Sequence, residues 1–470
     1  MDPHDYQAKD LLRITTAGSV DDGKSTLIGR LLYDTKSIHD DQLDQVESAS
    51  RRRGENSIDL ALLTDGLRAE REQKITIDVA YRYFSTRRRK FIIADTPGHL
   101  QYTRNMVTGA STADLAVILV DVTKGVQTQA RRHMFISSLL GISHLIVAIN
   151  KMDLAGYAQD AYDAVVGDIT RFVGKLAIKD MAFVPISARD GDNVVSPSAN
   201  MPWYDGGPLL HRLETVQVGA RLNAIDFRFP VQYVIRPNQH FRGYAGTVAS
   251  GTVRPGDEIM VLPSRRTTRV KGVETADGAL SEARAGNAVV VTTTDDVDIA
   301  RGDMIVRPRN IPTPASSIEA YLCWMSDEPL SYEHPYILMH TTRQVRAYVK
   351  HIDYRVNIDT MHREPAVTLS MNDIARVELE CAEPIFIDSY RIAPTTGSFV
   401  LVDPQSNTTI AAGMIRGEAN ERPCPMPKPG PDITWEGWNI PRQEREAAAG
   451  HQAALVWLTG LPGASVTAFS

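Results

Sequence analysis

Only three cysteines occur in the 470 residues, Cys323, Cys381 and Cys424, and they lie far apart, without the spacing of a metal site. That implies no disulfide framework and reads as buried or incidental thiols in a reducing compartment. No apolar run approaches the roughly 20 residues needed to cross a bilayer, and the N-terminus is polar and charged, without a signal-peptide core. The expectation is a soluble cytoplasmic chain with no membrane contact. Neither sign of charge dominates. The net value of −6 gives no global attraction to nucleic acid or anionic lipid. Basic residues gather in two short runs, Arg51-Arg52-Arg53 and Arg87-Arg88-Arg89-Lys90. The second falls in a hairpin turn between two strands and reads as a solvated loop. The length is too great for one core and implies two to four domains.

What is present is more decisive. Gly18-Ser19-Val20-Asp21-Asp22-Gly23-Lys24-Ser25 fits a phosphate loop, with Thr26 continuing it. Its glycines let backbone N–H groups turn toward phosphates, Lys24 supplies a cation, and the Ser25 hydroxyl can ligate Mg²⁺. The apolar run Leu11 to Thr16 before it reads as a buried strand, and Ser25 to Leu32 as the start of a helix. Asn150-Lys151-Met152-Asp153 follows downstream. Asp153 can accept from the two N–H donors on the guanine edge, which adenine does not present. The order of the two elements therefore points to GTP and GDP. Lys90 to Ala94 forms another strand, running into Asp95-Thr96-Pro97-Gly98. There a carboxylate can hold Mg²⁺ through water, and Gly98 lets the backbone approach the γ-phosphate. Ser187-Ala188-Arg189 sits where a loop would contact guanine.

Asp114 to Asp121 and His144 to Ile149 are further apolar runs separated by helical patterns, the mark of a parallel sheet covered on both faces. Residues 1–213 read as the GTP-binding domain. From Phe227 the pattern changes to short alternating strands with turn signals, which predicts an antiparallel β-barrel over 225–308. A break from Pro308 to Pro314 precedes a second barrel over 312–418. The stretch 419–450 is a linker, with prolines at 423, 425, 427, 429 and 431.

A nucleotide domain followed by two barrels resembles the elongation-factor group of GTPases. Translation factors typically carry histidines in the phosphate loop, where this chain has Ser19 and Asp22. The segment Asp65 to Gln73, then Ile75 to Phe84, resembles the first switch of the large, GTP-hydrolysing subunit of bacterial sulfate adenylyltransferase. Asp95-Thr96-Pro97-Gly98-His99, continued by Gln101 to Met106, resembles it too. The resemblance extends to about residue 418. The tail, 451–470, resembles the opening of an adenylylsulfate kinase, as in bifunctional relatives that include those serving nodulation. Its Gly460-Leu461-Pro462-Gly463-Ala464-Ser465 lacks the Gly-Lys-Ser that would bind ATP phosphates, so no kinase activity is expected of it.

The resemblance implies that GTP hydrolysis here drives adenylylsulfate formation from ATP and sulfate on a separate, smaller catalytic subunit. Lys24, Thr76 and His99 would serve hydrolysis, with His99 orienting the attacking water. Ser25, Thr76 and, through water, Asp95 would hold Mg²⁺. Two departures stand out, Lys74 in place of a glycine before the switch threonine and Leu100 in place of a glutamate after His99. The competing reading is a translational GTPase that binds tRNA and the ribosome. The acidic balance, Ser19 and Asp22 argue against it, and no nucleic-acid partner is expected.

Overall fold

The computed structural model describes residues 10–38, 41, 43, 44, 46, 60–63, 78–99, 103–174, 176, 178, 180–218, 223–238 and 241–419. Compact units divide at Ala419, and everything from Asn420 onward lies outside the described residues, as do Thr76, Lys74, Leu100 and Arg51 to Arg53. The readings of linker, tail and first switch therefore rest on sequence.

The nucleotide domain is a six-stranded sheet built from β1 (Asp10–Gly18), β2 (Ala80–Ser85), β3 (Arg89–Asp95), β4 (Leu115–Asp121), β5 (His144–Asn150) and β6 (Asp180–Pro185). Their order is β2-β3-β1-β4-β5-β6, parallel except for the β2–β3 hairpin. Helices among the described residues are α1 (Lys24–Asp34), α2 (Thr103–Ser111), α3 (Thr128–Leu139), α4 (Gln159–Val173) and α5 (Leu209–Thr215). The sequence Leu-Ala-Val-Ile-Leu-Val-Asp of β4 is buried at every position, as a central strand covered on both faces requires. Each fully buried Ile or Val in such a strand contributes about 1.5–3 kcal/mol relative to exposure. On one face Leu12, Ile14, Leu27, Ile28, Phe91 and Leu119 pack together, with Phe84 stacked on Phe91 at 4.5 Å.

The register places the motifs. Thr16 pairs with Asp95, Gly18 with Leu119, and Asp121 with Asn150. Each motif therefore leaves its strand at the carboxyl edge of the sheet, where α/β sheets bind ligands.

The β2–β3 hairpin forms where the sequence places it, and Arg87 and Arg88 at its turn are exposed. Arg89 is not a solvated loop residue, however. It is buried, and its guanidinium donates to the Leu213 and Val216 carbonyls at 3.1 and 2.8 Å and pairs with Asp10. As the first residue of β3 it reaches the carboxyl end of α5, whose last carbonyls need donors.

Two antiparallel barrels follow. In the first, Arg228–Asn238, Phe241–Thr247, Glu258–Leu262, Arg266–Thr275, Ala288–Thr293 and Met304–Val306 close a ring through pairing of Glu258–Leu262 with Arg266–Thr275. In the second, Thr313–Trp324, Tyr336–His340, Arg343–Val356, Ile374–Ile387, Ser398–Val402 and Thr409–Glu418 close in the same way. Closure removes exposed sheet edges. Arg228 of the first barrel pairs with Asp388 of the second at 2.9 Å. Cys323, Val356, Ile374 and Met414 of the second barrel share a buried apolar cluster with Met134, Phe135 and Ile136 of α3. Burial pushes the Cys323 and Cys381 thiols up to about 12 and about 11, so neither is a reactive thiolate at neutral pH. Among the described residues, no helix is long and apolar enough to cross a membrane.

Candidate nucleotide-binding site

The phosphate loop turns sharply between β1 and α1. Asp21 and Gly23 take φ of 66° and 92°, and a side chain at 23 would place its Cβ 2.4 Å from Asn150 Nδ2. Glycine answers both demands. No side chain caps α1, so its first N–H groups and its positive dipole end remain open to an anion. Asp22 braces the loop, one carboxylate oxygen accepting from the Ser19 N–H at 2.6 Å. Burial raises its pKa, against the opposing pull of Lys24.

Lys24 is buried, and its ammonium donates to the Gly18 and Ser19 carbonyls at 3.1 and 2.9 Å. Burial lowers its pKa, while Asp22, Asp95 and Asp21 act to keep it charged. Gly98 lies directly over it: a Cβ there would meet Lys24 Nζ at 2.5 Å and the Gly18 carbonyl at 2.6 Å. The Asp95 segment and the phosphate loop thus approach so closely that only glycine fits at 98. Asp95 is buried, with the Thr16 hydroxyl 3.4 Å from its Oδ1, and the Thr96 hydroxyl donates to the Thr16 carbonyl at 2.6 Å. Pro97 is buried beside them and His99 is half-buried at the end of the segment.

At the other end, Asn150 ties loops together. Its Nδ2 donates to the Asp22 carbonyl at 2.7 Å, and its Oδ1 accepts from the Ala188 N–H at 2.9 Å. Lys151, at φ 64°, donates to Asp121 at 2.8 Å. Burial alone would raise the Asp121 pKa, but hydrogen bonds from Lys151 and Thr123 overcome it and hold the carboxyl below its ordinary value. Met152 sends its side chain into the apolar cluster, leaving only its backbone to the site. Asp153 Oδ1 accepts from the Ser187 hydroxyl at 2.9 Å. The structure thus brings the segments 18–26, 95–99, 150–153 and 187–189 to one edge of the sheet, while Thr76 lies outside the described residues.

Sequence reasoning missed Asp121 and Arg30. Asp121 offered one signal, a carboxylate closing an apolar strand, and the fold pairs it directly with Asn150 of the guanine motif. Arg30, which donates to the carbonyls of Ala188 at 3.2 Å and of Arg189, offered none.

Comparison with known proteins agrees with this architecture. Residues 9–228 match the elongation factor Tu GTP binding domain family, 244–306 match elongation factor Tu domain 2, and 317–416 match the GTP-eEF1A C-terminal domain-like family. The chain is 53% identical over 411 residues to sulfate adenylyltransferase subunit 1 of Bacteroides fragilis, covering 87% of this chain and 86% of that one. It is 50% identical over 459 residues to the bifunctional enzyme CysN/CysC of Mycobacterium tuberculosis, covering 96% of this chain and 73% of the other. A similar protein from Rhodopirellula baltica, also named bifunctional enzyme CysN/CysC, is 50% identical over 473 residues, 99% of this chain and 73% of its own. The three domains in order, the guanine-nucleotide motifs gathered on one sheet edge, and half or more of the residues shared over most of the length make this chain a GTPase of the sulfate adenylyltransferase subunit 1 family.

Proposed function

We infer that this chain binds and hydrolyses GTP to drive adenylylsulfate formation from ATP and sulfate on a smaller catalytic subunit. The anhydride between phosphate and sulfate is high in energy, so its formation with release of pyrophosphate runs uphill, and a coupled hydrolysis pulls it forward. The observation that carries this reading is the likeness to sulfate adenylyltransferase subunit 1 over 87% of the chain, together with an open, lysine-backed phosphate loop.

Within that reading, backbone N–H groups of Asp22 to Thr26 and the Lys24 ammonium cradle the β- and γ-phosphates. Lys24 exchanges its two loop carbonyls for phosphate oxygens, and Gly98 admits them. Asp153 reads the guanine edge, and Asn150 holds the base loop against the phosphate loop. The hard oxygen donors Ser25 and Thr76 would hold Mg²⁺ directly and buried Asp95 through a water, and the ion would neutralise phosphate charge when bound. His99 orients the attacking water.

The deciding experiment measures adenylylsulfate synthesis by the reconstituted pair with and without GTP. Synthesis should depend on GTP, and this chain alone should make none. Abundant product from the isolated chain, or GTP turnover stimulated by ribosomes rather than by the catalytic subunit with ATP and sulfate, would overturn the assignment.

A further inference from the structure

The base loop is gripped from two sides. On the inner side Asn150 accepts the Ala188 N–H. On the outer side the Arg30 guanidinium donates to the Ala188 carbonyl at 3.2 Å and to the Arg189 carbonyl. Arg30 lies on α1, six residues after Lys24, about 9 Å farther along the helix. The element that begins at the phosphates therefore also holds the loop at the base. The Arg30 side chain is itself fixed, 3.5 Å from Asp34 one turn on and over the Tyr33 ring at 5.9 Å, and is only 18% exposed. A guanidinium suits this task, because its planar fork holds its donors in one fixed geometry toward the two carbonyls, where an ammonium on a flexible stem is less pre-organised.

We propose that Arg30 is a positioning residue for guanine, a latch whose hold on the Ala188 and Arg189 carbonyls sets how long nucleotide stays bound. This rests on reading Asp153 and the 187–189 segment as the base pocket. Arg30 touches no ligand. It acts by keeping the base loop in register with α1, so that phosphate and base contacts are made together. When it lets go, the inner ties from Asn150 to Ala188 and from Ser187 to Asp153 remain, and the loop swings out more often.

The test uses the full chain and follows release of N-methylanthraniloyl-GDP by stopped-flow fluorescence. Arg30→Ala should release it roughly tenfold faster, the loss expected for charge-assisted hydrogen bonds of a half-buried group. Arg30→Lys, which keeps the charge but not the fixed fork, should fall between. The KM for GTP in the partner-stimulated reaction should rise by a similar factor, with kcat changed less than twofold. A distorted α1 would instead misplace Lys24 and Ser25 and lower kcat as well. Release from Arg30→Ala at the unmodified rate overturns the latch, as does a fall in kcat matching the rise in KM. Asp153→Asn, run beside it, should shift preference from guanine toward xanthine nucleotides. If that variant keeps full guanine preference, the base-pocket reading fails and the latch falls with it. If preference shifts while Arg30→Ala releases normally, the latch alone fails.

Discussion

The two junctions that bind the second barrel to its neighbours are built from opposite materials. Against the first barrel it presents charge. Arg228, 3% exposed, donates to both Asp388 oxygens, to the Asn310 carbonyl and Oδ1, and to the Phe227 carbonyl. Asp388 also accepts from Thr396, whose carbonyl meets His340 at 2.8 Å, and Asn310 donates to Asp226. Against the nucleotide domain it presents mostly apolar side chains, with Cys323, Val356, Ile374 and Met414 packed toward α3 and the Tyr390 hydroxyl donating to the Leu140 carbonyl at 3.2 Å. Nearby on α3, His133 is fully buried, and among the described residues neither ring nitrogen has a hydrogen-bond partner. A saturated hydrogen-bond network has one geometry. An apolar contact that includes methionine tolerates several arrangements of similar energy. The barrels should therefore move as one body, with any sliding confined to the α3 face.

The strongest way to break this contrast is Arg228→Ala. It strands the half-buried Asp388 and leaves its other partners unpaired, and should cost about 3 kcal/mol, read as a lowered barrel unfolding midpoint in calorimetry. An Arg228→Met, Asp388→Leu double variant should recover most of that loss. A single variant melting within a degree of the parent would show that the network is not a lock.

His133 sharpens the other side. Burial, helped by Lys24 and Arg132, pushes its pKa from 6.5 to about 3. Between those values the unfolded chain binds a proton that the folded chain refuses. The proton-linked penalty is therefore absent above pH 6.5, and stability falls as the pH drops toward 3, by on the order of 2 kcal/mol at pH 5. His133→Leu should keep or raise the midpoint at pH 7 and flatten its decline between pH 6.5 and 4. An unchanged pH profile would remove the histidine from the account.

The smallest effect belongs to Tyr390→Phe. Losing one hydroxyl bond should cost about 1 kcal/mol and leave the barrel–barrel transition untouched. A loss comparable to that of Arg228→Ala would mean that the α3 face is held by polar contacts after all.

What the sequence made legible was whatever is local. The phosphate loop is contiguous, so its residue types spell out its geometry, and the seven buried residues of β4 announce a central strand. The partners of those segments were hidden, because contact across the fold leaves no spacing to read. Arg30 meets a loop 158 residues away. Arg89 looked like one of four basic residues in a turn, yet strand alternation sends it inward to the end of α5. Met152 sits within the guanine motif but serves the core.

Gly23 and Asn150 differ in how they could be replaced. A Cβ at 23 would lie 2.4 Å from the Asn150 amide, and the same amide fastens the Asp22 carbonyl. Glycine at 23 is held twice over, by that crowding and by φ 92°, a conformation that strains any residue with a Cβ. A smaller residue at 150 relieves only the first and forfeits the tie to the base loop. A library randomised at both positions together should therefore return glycine at 23 in nearly every nucleotide-binding clone, whatever stands at 150.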